Sequence, residues 1–245
     1  MQYSTFAAID IGSYDVILEI FEISKKQGIR SVDKICHRME LGKDTYTLGK
    51  IRPEMEEELC RVLADFVRIM EGYRVDDYRA TASSAISEAS NSLYVLGKIH
   101  QLTGLSVTVL SNSEQRFLSY KALAAMEDNF NKIIEKGTAI LDLDGGSFQI
   151  SLFDKDALVT TQNIRMGSLR IRERLAGIQS ETEHYEEMVE ELIWNEVSSF
   201  KKMYLKDRKI ENIMLIGDVF TDSVYQNIEE KTTKIISREN FNTWY

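Results

Sequence analysis

Two segments of this chain share one pattern, in which a β-branched strand runs into a tight turn of small and acidic residues and continues as a second strand. The first is FAAIDIGSYDVILEIFE at residues 6–22, and the second is AILDLDGGSFQISLFDKD at 139–156. Asp142 lies 132 residues after Asp10, and at that offset AAIDIG overlies AILDLD. Self-similarity at a fixed offset is the signature of a duplicated unit. The sequence therefore predicts two similar halves.

Strands and helices alternate after each of these hairpins. Residues 52–73 carry apolar side chains at helical spacing, with Pro53 at the start and Gly72 at the end, which predicts an amphipathic helix. Further helices are predicted at 92–104, 111–126 and 180–205. Further strands are predicted near 31–39, at the start of 76–91, at 106–110 and 157–167, and within 212–228. This order predicts an α/β fold with mixed sheets, in two lobes at residues 1–135 and 136–245 with a cleft between them.

Composition narrows the classes of partner and compartment. The net charge of -9 repels polyanions, so we expect no binding to duplex nucleic acid. No apolar run approaches the roughly 20 residues that cross a bilayer, and residues 1–10 do not resemble a signal peptide. The two cysteines, Cys36 and Cys60, lie in hydrophobic-patterned segments. We therefore expect no membrane association and a cytoplasmic location.

The turns of the two hairpins carry residue types that bind phosphate. Clustered backbone N–H groups of small residues bind phosphate oxygens, and a carboxylate at the adjacent strand end suits Mg²⁺, which takes one or two carboxylates plus phosphate oxygens and water. Asp and Gly are also the commonest residues of plain turns, but their paired occurrence favours a site that clamps one phosphate chain. The candidates are Gly12, Ser13, Gly145, Gly146 and Ser147 for phosphate, and Asp10 and Asp142 for the metal.

Six segments resemble, in order, the motifs of one enzyme family. They are AAIDIGSYDVILEIFEI, RMELGKDTYTLGKIRPEMEEELCRVLADF, ATASSAISEASN, LSNSEQRFLSY, LDLDGGSFQISLF and IRMGSLRIRER. Together they resemble the exopolyphosphatase and guanosine pentaphosphate phosphohydrolase (Ppx/GppA) family of the actin, Hsp70 and sugar kinase superfamily. The resemblance implies duplicated RNase H-like lobes and Mg²⁺-assisted removal of a terminal phosphate from polyphosphate or guanosine pentaphosphate.

The family's catalytic positions are only partly kept. Members use a glutamate at a helix start to activate water, and Glu114 and Gln115 stand at the family's two glutamates, with Gln115 at the water-activating one. A glutamine side chain does not accept a proton at neutral pH. Gln149 stands in place of a glutamate, Ser87 in place of an arginine and Asp144 in place of a glycine. These replacements predict low catalytic efficiency.

Two hypotheses follow from the motifs and their replacements. The first is a phosphohydrolase with Glu114 as the base, and the second is a non-catalytic protein on the same fold that senses a phosphorylated ligand or binds a partner. Either way we expect a phosphorylated small molecule or short polyphosphate as ligand, with a homodimer as a possible assembly. Because the chain ends after the second lobe, we expect no processive action on long polyphosphate.

Overall fold

A computed structural model of the chain describes residues 3–127, 129–177, 184–206, 208–217 and, for the backbone alone, 234–237. Its contacts divide it into two units, Met1–Gln115 and Arg116–Tyr245. The helix that carries Glu114 begins in the first unit and continues into the second.

The first unit is a five-stranded mixed sheet with helices. Its elements are β1 (Ser4–Ile11), β2 (Asp15–Ser24), β3 (Gly28–Arg38), α1 (Leu41–Leu48), α2 (Pro53–Tyr73), β4 (Asp77–Ala82), α3 (Ser84–Ser87), α4 (Ser92–Thr103) and β5 (Val107–Val109). The strand order is β3-β2-β1-β4-β5, in which β2 is antiparallel to both β3 and β1, and β4 is parallel to both β1 and β5. Alternate residues of β1 and β2 pack with the buried face of α2 to form the core.

The second unit repeats this order. It contains most of α5 (Asn112–Met126), then α6 (Phe130–Ile134), β6 (Thr138–Leu143), β7 (Phe148–Asp154), β8 (Ala157–Ile164), α7 (Ser168–Leu175), α8 (Tyr185–Tyr204), β9 (Asn212–Ile216) and β10 (Lys234–Ser237). The sheet order β8-β7-β6-β9-β10 matches that of the first unit position by position. The last strand differs, since β10 is antiparallel to β9 whereas β5 is parallel to β4.

The predicted α/β class and the duplicated mixed sheets are confirmed. The register β1–β2 pairs Asp10 with Ile17, and the register β6–β7 pairs Asp142 with Gln149, so the offset of 132 holds across both hairpins. The predicted lobes at 1–135 and 136–245 stay a prediction. The contact-based division falls earlier because Leu123, Phe130 and Ile134 pack with the second sheet.

No helix among the described residues has both the length and the apolar character needed to cross a bilayer.

Candidate phosphate-binding loops

The hairpin turns of the two units close with the same hydrogen bond. Gly12 N–H donates to Asp15 O at 2.9 Å, and Asp144 N–H donates to Ser147 O at 3.0 Å. Each residue of the second pair lies 132 positions after its counterpart in the first. The two units therefore share the hydrogen bond that closes the hairpin turn as well as the strand order. We call residues 12–15 the first loop and 144–147 the second loop.

The carbonyl groups of the second loop are held by α7. Asp144 O accepts from Ser168 N–H at 3.2 Å, Gly145 O accepts from Arg170 N–H at 3.1 Å, and Gly146 O accepts from Arg170 Nε at 2.9 Å. The first turn of a helix has N–H groups without intrahelical partners, which makes such carbonyl contacts favourable. Three successive carbonyl groups of the second loop thus accept hydrogen bonds from α7.

Gly167 lets α7 approach the second loop this closely. A Cβ atom built on Gly167 would lie 2.4 Å from Asp144 O and from the carbonyl carbon of Gly145. That is far inside van der Waals contact, so a side chain at this position would displace the loop. Neither Gly167 nor Arg170 was among the sequence-predicted site residues, although the segment that contains them was recognised as a motif.

The amide groups of the second loop have a different environment from its carbonyls. Among the described residues, the N–H groups of Gly145, Gly146 and Ser147 have no hydrogen-bond acceptor, and all three residues are buried. A buried N–H without an acceptor is costly, so such groups are normally satisfied by water or a ligand. Successive unpaired amides at a turn form an anion-binding concavity.

The first loop is held in a related way, with one difference. Ser13 O accepts from Gly42 N–H of α1 at 2.9 Å, as Gly145 O does from α7. The N–H of Ser13 has no acceptor among the described residues, whereas that of Gly12 is used within the turn. Gly12 therefore serves to keep the turn tight, because a Cβ at this position would lie 2.9 Å from Asp15 O.

The Ser13 hydroxyl belongs to a hydroxyl cluster that the sequence did not indicate. Its Oγ lies 2.6 Å from the Tyr46 hydroxyl, which in turn lies 2.8 Å from Ser84 Oγ. Ser13 is only 4% exposed. The side chain of Ser13 is thus positioned by residues of α1 and α3.

The two candidate metal ligands occupy equivalent strand ends but differ in environment. Asp10 is exposed, with Thr81 Oγ1 donating to it at 3.4 Å, whereas Asp142 is buried and accepts from Ser119 Oγ at 3.4 Å. Among the described residues no three His, Cys, Asp or Glu side chains cluster as a metal centre. One carboxylate per unit fits Mg²⁺ only where phosphate oxygens and water supply the remaining ligands.

Glu114 forms a capping box at the start of α5. Its carboxylate accepts from Ser111 N–H at 2.9 Å and from Ser111 Oγ at 2.8 Å, and its own N–H donates to Ser111 Oγ at 3.2 Å. The bonds from the Ser111 backbone and hydroxyl, aided by the charge of Arg79, lower the pKa of Glu114 below its ordinary value. The carboxylate is therefore ionised at neutral pH but less basic than a free glutamate. Gln115, the next residue, is half-buried on α5.

Gln149 lies across the strand pair from Asp142, in the interior. It is 1% exposed, and neither its amide oxygen nor its amide nitrogen has a partner among the described residues. Two residues along β7, Ser151 Oγ accepts from the Tyr120 hydroxyl at 2.5 Å, and Thr161, which is paired with Ser151, accepts from Arg116 Nη1 at 2.7 Å. An ionised carboxylate in place of Gln149 would need a cation or further donors, so a neutral amide suits this interior.

A third glycine-containing turn follows β9. Gly217 has φ 117°, and a Cβ there would lie 2.1 Å from Leu143 O, so the residue must be glycine to pack against the end of β6. The residues that follow Gly217, 218–233, lie outside the described residues.

Known proteins are similar to the chain in sequence or in fold. A bifunctional 3-dehydroquinate synthase/phosphatase of Fusobacterium nucleatum is 22% identical over 92% of the chain and 34% of its own length. Exopolyphosphatase 1 of Mycobacterium leprae is 25% identical over 58% of the chain and 41% of its own length. The crystal structure of an exopolyphosphatase from Cytophaga hutchinsonii superposes with a TM-score of 0.70 at 20% identity, covering 87% of the chain and 66% of the solved one.

The chain spans between a third and two fifths of the length of these curated relatives. The family model for Ppx/GppA phosphatases matches residues 19–245, which is most of the sequence. It begins after the first loop and includes both helices that hold the loop carbonyls. The chain therefore belongs to the Ppx/GppA phosphatase family.

Proposed function

We propose that the protein binds the phosphate chain of a short polyphosphate or of guanosine pentaphosphate through its second loop, with the first loop as the equivalent candidate in the other unit, and that it hydrolyses the terminal phosphate slowly. The observation that carries this proposal is the second loop, whose carbonyls are held by α7 while three buried amides have no acceptor in the part of the chain that the structure describes. Phosphate oxygens are the acceptors that such amides favour. The names of the relatives, which include exopolyphosphatases, support phosphate chains as the ligand class.

The proposed hydrolysis is attack of water on the terminal phosphorus. The water proton passes to a base, the bond between phosphorus and the bridging oxygen breaks, and the shortened chain leaves with the electron pair of that bond. The loop amides stabilise the charge on the phosphate oxygens. Mg²⁺ held by Asp10 or Asp142 together with the phosphate would neutralise part of that charge.

Glu114 is our candidate for the base. It is ionised and exposed, but its contact with Ser111 makes it a weak base and requires that this contact lengthen when a proton is accepted. A neutral Gln115 does not provide a second base. These two features are the reason that we propose slow turnover.

The test measures phosphate release from tripolyphosphate and guanosine pentaphosphate with Mg²⁺, in the wild type and in Glu114→Gln. Glutamine keeps the capping box, so a fall of about 100-fold or more reports the lost base and not a frayed helix. Glu57→Gln, on the exposed face of α2, is the matched control and retains the wild-type rate. Release that is equal in all three proteins contradicts Glu114 as the base. Saturable binding without release would instead favour a phosphate-ligand sensor.

The remaining assignments are also proposals. We place the protein in the cytoplasm, where Cys36 and Cys60, both free thiols in the structure, remain reduced. Sedimentation at several protein concentrations tests whether it forms a homodimer.

A further inference from the structure

A cavity lies at the end of the first sheet that is farthest from the first loop. It has a volume of about 460 Å³, and β2, β3, the turn between them and Tyr3 line it. Small-molecule sites in proteins have volumes of roughly 300 to 1,000 Å³. β2 runs from Asp15, the last residue of the first loop, to Ser24, which lines the cavity. At roughly 3.3 Å per residue, that strand separates the cavity from the first loop by about 30 Å.

The pairing of β2 with β3 builds one side of the cavity. Glu22 pairs with Arg30, and Ser24 pairs with Gly28. Because residues two apart on a strand share a face, both pairs lie on the same side of the sheet. Gly28 has φ 72° and no side chain, and nothing lies within 4 Å of a Cβ built there. The backbone at this position therefore adjoins open space.

The turn between β2 and β3 carries two lysines into the wall of the cavity. The N–H of Gln27 donates to Ser24 Oγ at 3.0 Å, which ties the turn to the end of β2. Lys25 and Lys26 lie within this turn and line the cavity. Their positions are therefore set by a closed hairpin turn.

The charges around the cavity leave two cations without a counterion. Arg30 Nη2 lies 2.6 Å from Glu22 Oε2, so these two side chains neutralise each other. Lys25 and Lys26 form no ion pair in the part of the chain that the structure describes. Two neighbouring ammonium groups repel each other, and a bound dianion removes that repulsion. The site is positive although the whole chain has a net charge of -9.

The remainder of the wall suits an aromatic group. Tyr3 lines the cavity and is 56% exposed, so its side chain is accessible to a ligand. The methylene stems of Lys25 and Lys26 add apolar surface beneath their charged ends. Aromatic rings pack favourably on a tyrosine ring. An inorganic anion would leave this apolar surface uncovered.

We propose that this cavity binds a small aromatic phosphate monoester, the chemical class to which nucleoside monophosphates belong. The phosphate group, which carries close to two negative charges at neutral pH, contacts Lys25 and Lys26, and the aromatic ring stacks on Tyr3. Lysine binds phosphate as a point charge, which matches the two unpaired ammonium groups. The inference does not rest on the proposed hydrolysis, because no residue of the cavity belongs to either loop or to α5.

The test is a titration with adenosine 5′-monophosphate in the presence of EDTA, followed in ¹H–¹⁵N spectra of the labelled protein. We expect saturable shifts of the Gln27 and Gly28 N–H resonances. Adenosine, which lacks the charge, and inorganic phosphate, which lacks the ring, should each bind about 10-fold more weakly or worse. Equal affinity for inorganic phosphate and the nucleotide overturns the aromatic class of ligand.

The variants separate the lysine contacts from a general effect of charge. Lys25→Gln combined with Lys26→Gln should weaken nucleotide binding by about 10-fold or more, and Tyr3→Leu should weaken it several-fold. Lys50→Gln combined with Lys136→Gln removes the same charge at exposed positions outside the cavity and should retain wild-type affinity. Resonances far from each substitution report whether the variant is folded.

The location of the shifts distinguishes this inference from the proposed function. If the nucleotide leaves Gln27 and Gly28 unmoved, or if the lysine variant and its control bind equally, the inference is wrong. Shifts confined to Gly145, Gly146 and Ser147 would support phosphate binding at the second loop and overturn the cavity site. Failure of tripolyphosphate to bind the second loop counts against the proposed function and leaves the nucleotide result to decide the cavity.

Discussion

Substitution of Gly167 by alanine is the sharpest perturbation of the second loop. The added Cβ would lie 2.4 Å from Asp144 O and from the carbonyl carbon of Gly145, whereas ordinary contacts lie at 3.4–4 Å. The loop and the start of α7 must therefore separate by about 1 Å. This movement breaks or lengthens the bonds from Ser168 and Arg170 that hold the carbonyls.

Two magnitudes follow from that displacement. Overpacking of a closely packed position costs about 1 to 3 kcal/mol of unfolding free energy. A misplacement of about 1 Å at a positioned group costs up to about 100-fold in function, so we expect tripolyphosphate affinity to fall by roughly 10- to 100-fold. Isothermal titration calorimetry measures the affinity, and urea unfolding measures the stability.

Gly137→Ala is the matched control for this substitution. Gly137 precedes β6, at the end of the strand opposite the loop, and a Cβ there would lie 2.0 Å from Lys209 O. The control should lose similar stability and keep tripolyphosphate affinity. If Gly167→Ala binds tripolyphosphate as tightly as the wild type, or if both variants lose affinity equally, the loop geometry is not what positions the ligand.

Three further predictions concern individual contacts in the two units. Ser111→Ala should lower the free energy of unfolding, measured by chemical unfolding, by about 1 kcal/mol. Because the pKa of Glu114 is lowered in the folded protein, this difference in unfolding free energy is fully present above pH 4.5 and shrinks as the pH falls further. Gly97→Ala, within α4 with nothing within 4 Å of its Cβ, should raise stability by about 0.5 to 1 kcal/mol in the same assay. Phe153→Ala, which removes edge-on ring contacts with Tyr120 and Phe130, should lower the unfolding free energy by about 3 to 5 kcal/mol, and a loss under 1 kcal/mol would contradict the described packing.

The strand-and-helix order was readable from the sequence because periodicity carries it. The alternation in β1 and β2 and the helical spacing in α2 predicted these elements, and the fixed offset predicted the second sheet. The strand β10 was not predicted, because its four residues are too few to show an alternating pattern. The eight-residue α7 was also missed, since so short a helix shows only two turns of periodicity.

The candidate site was predictable in its residue types but not in how they are held. Asp and Gly at both turns indicated phosphate chemistry, yet the tie between Arg170 and the second loop joins residues 24 positions apart and has no local signal. The capping role of Glu114 did have a local signal, since Ser111 followed by an acid three residues later is the capping-box pattern. The burial of Gln149 depends on the pairing of β7 with both β6 and β8, so no single segment of the sequence indicates it.

Backbone amide chemical shifts during a tripolyphosphate titration report whether the loop amides bind phosphate. In ¹H–¹⁵N spectra of the uniformly labelled protein, we expect saturable shifts that are largest for the N–H groups of Gly145, Gly146, Ser147 and Ser13. Saturable binding that leaves these four resonances unmoved, while resonances elsewhere shift, would contradict this expectation.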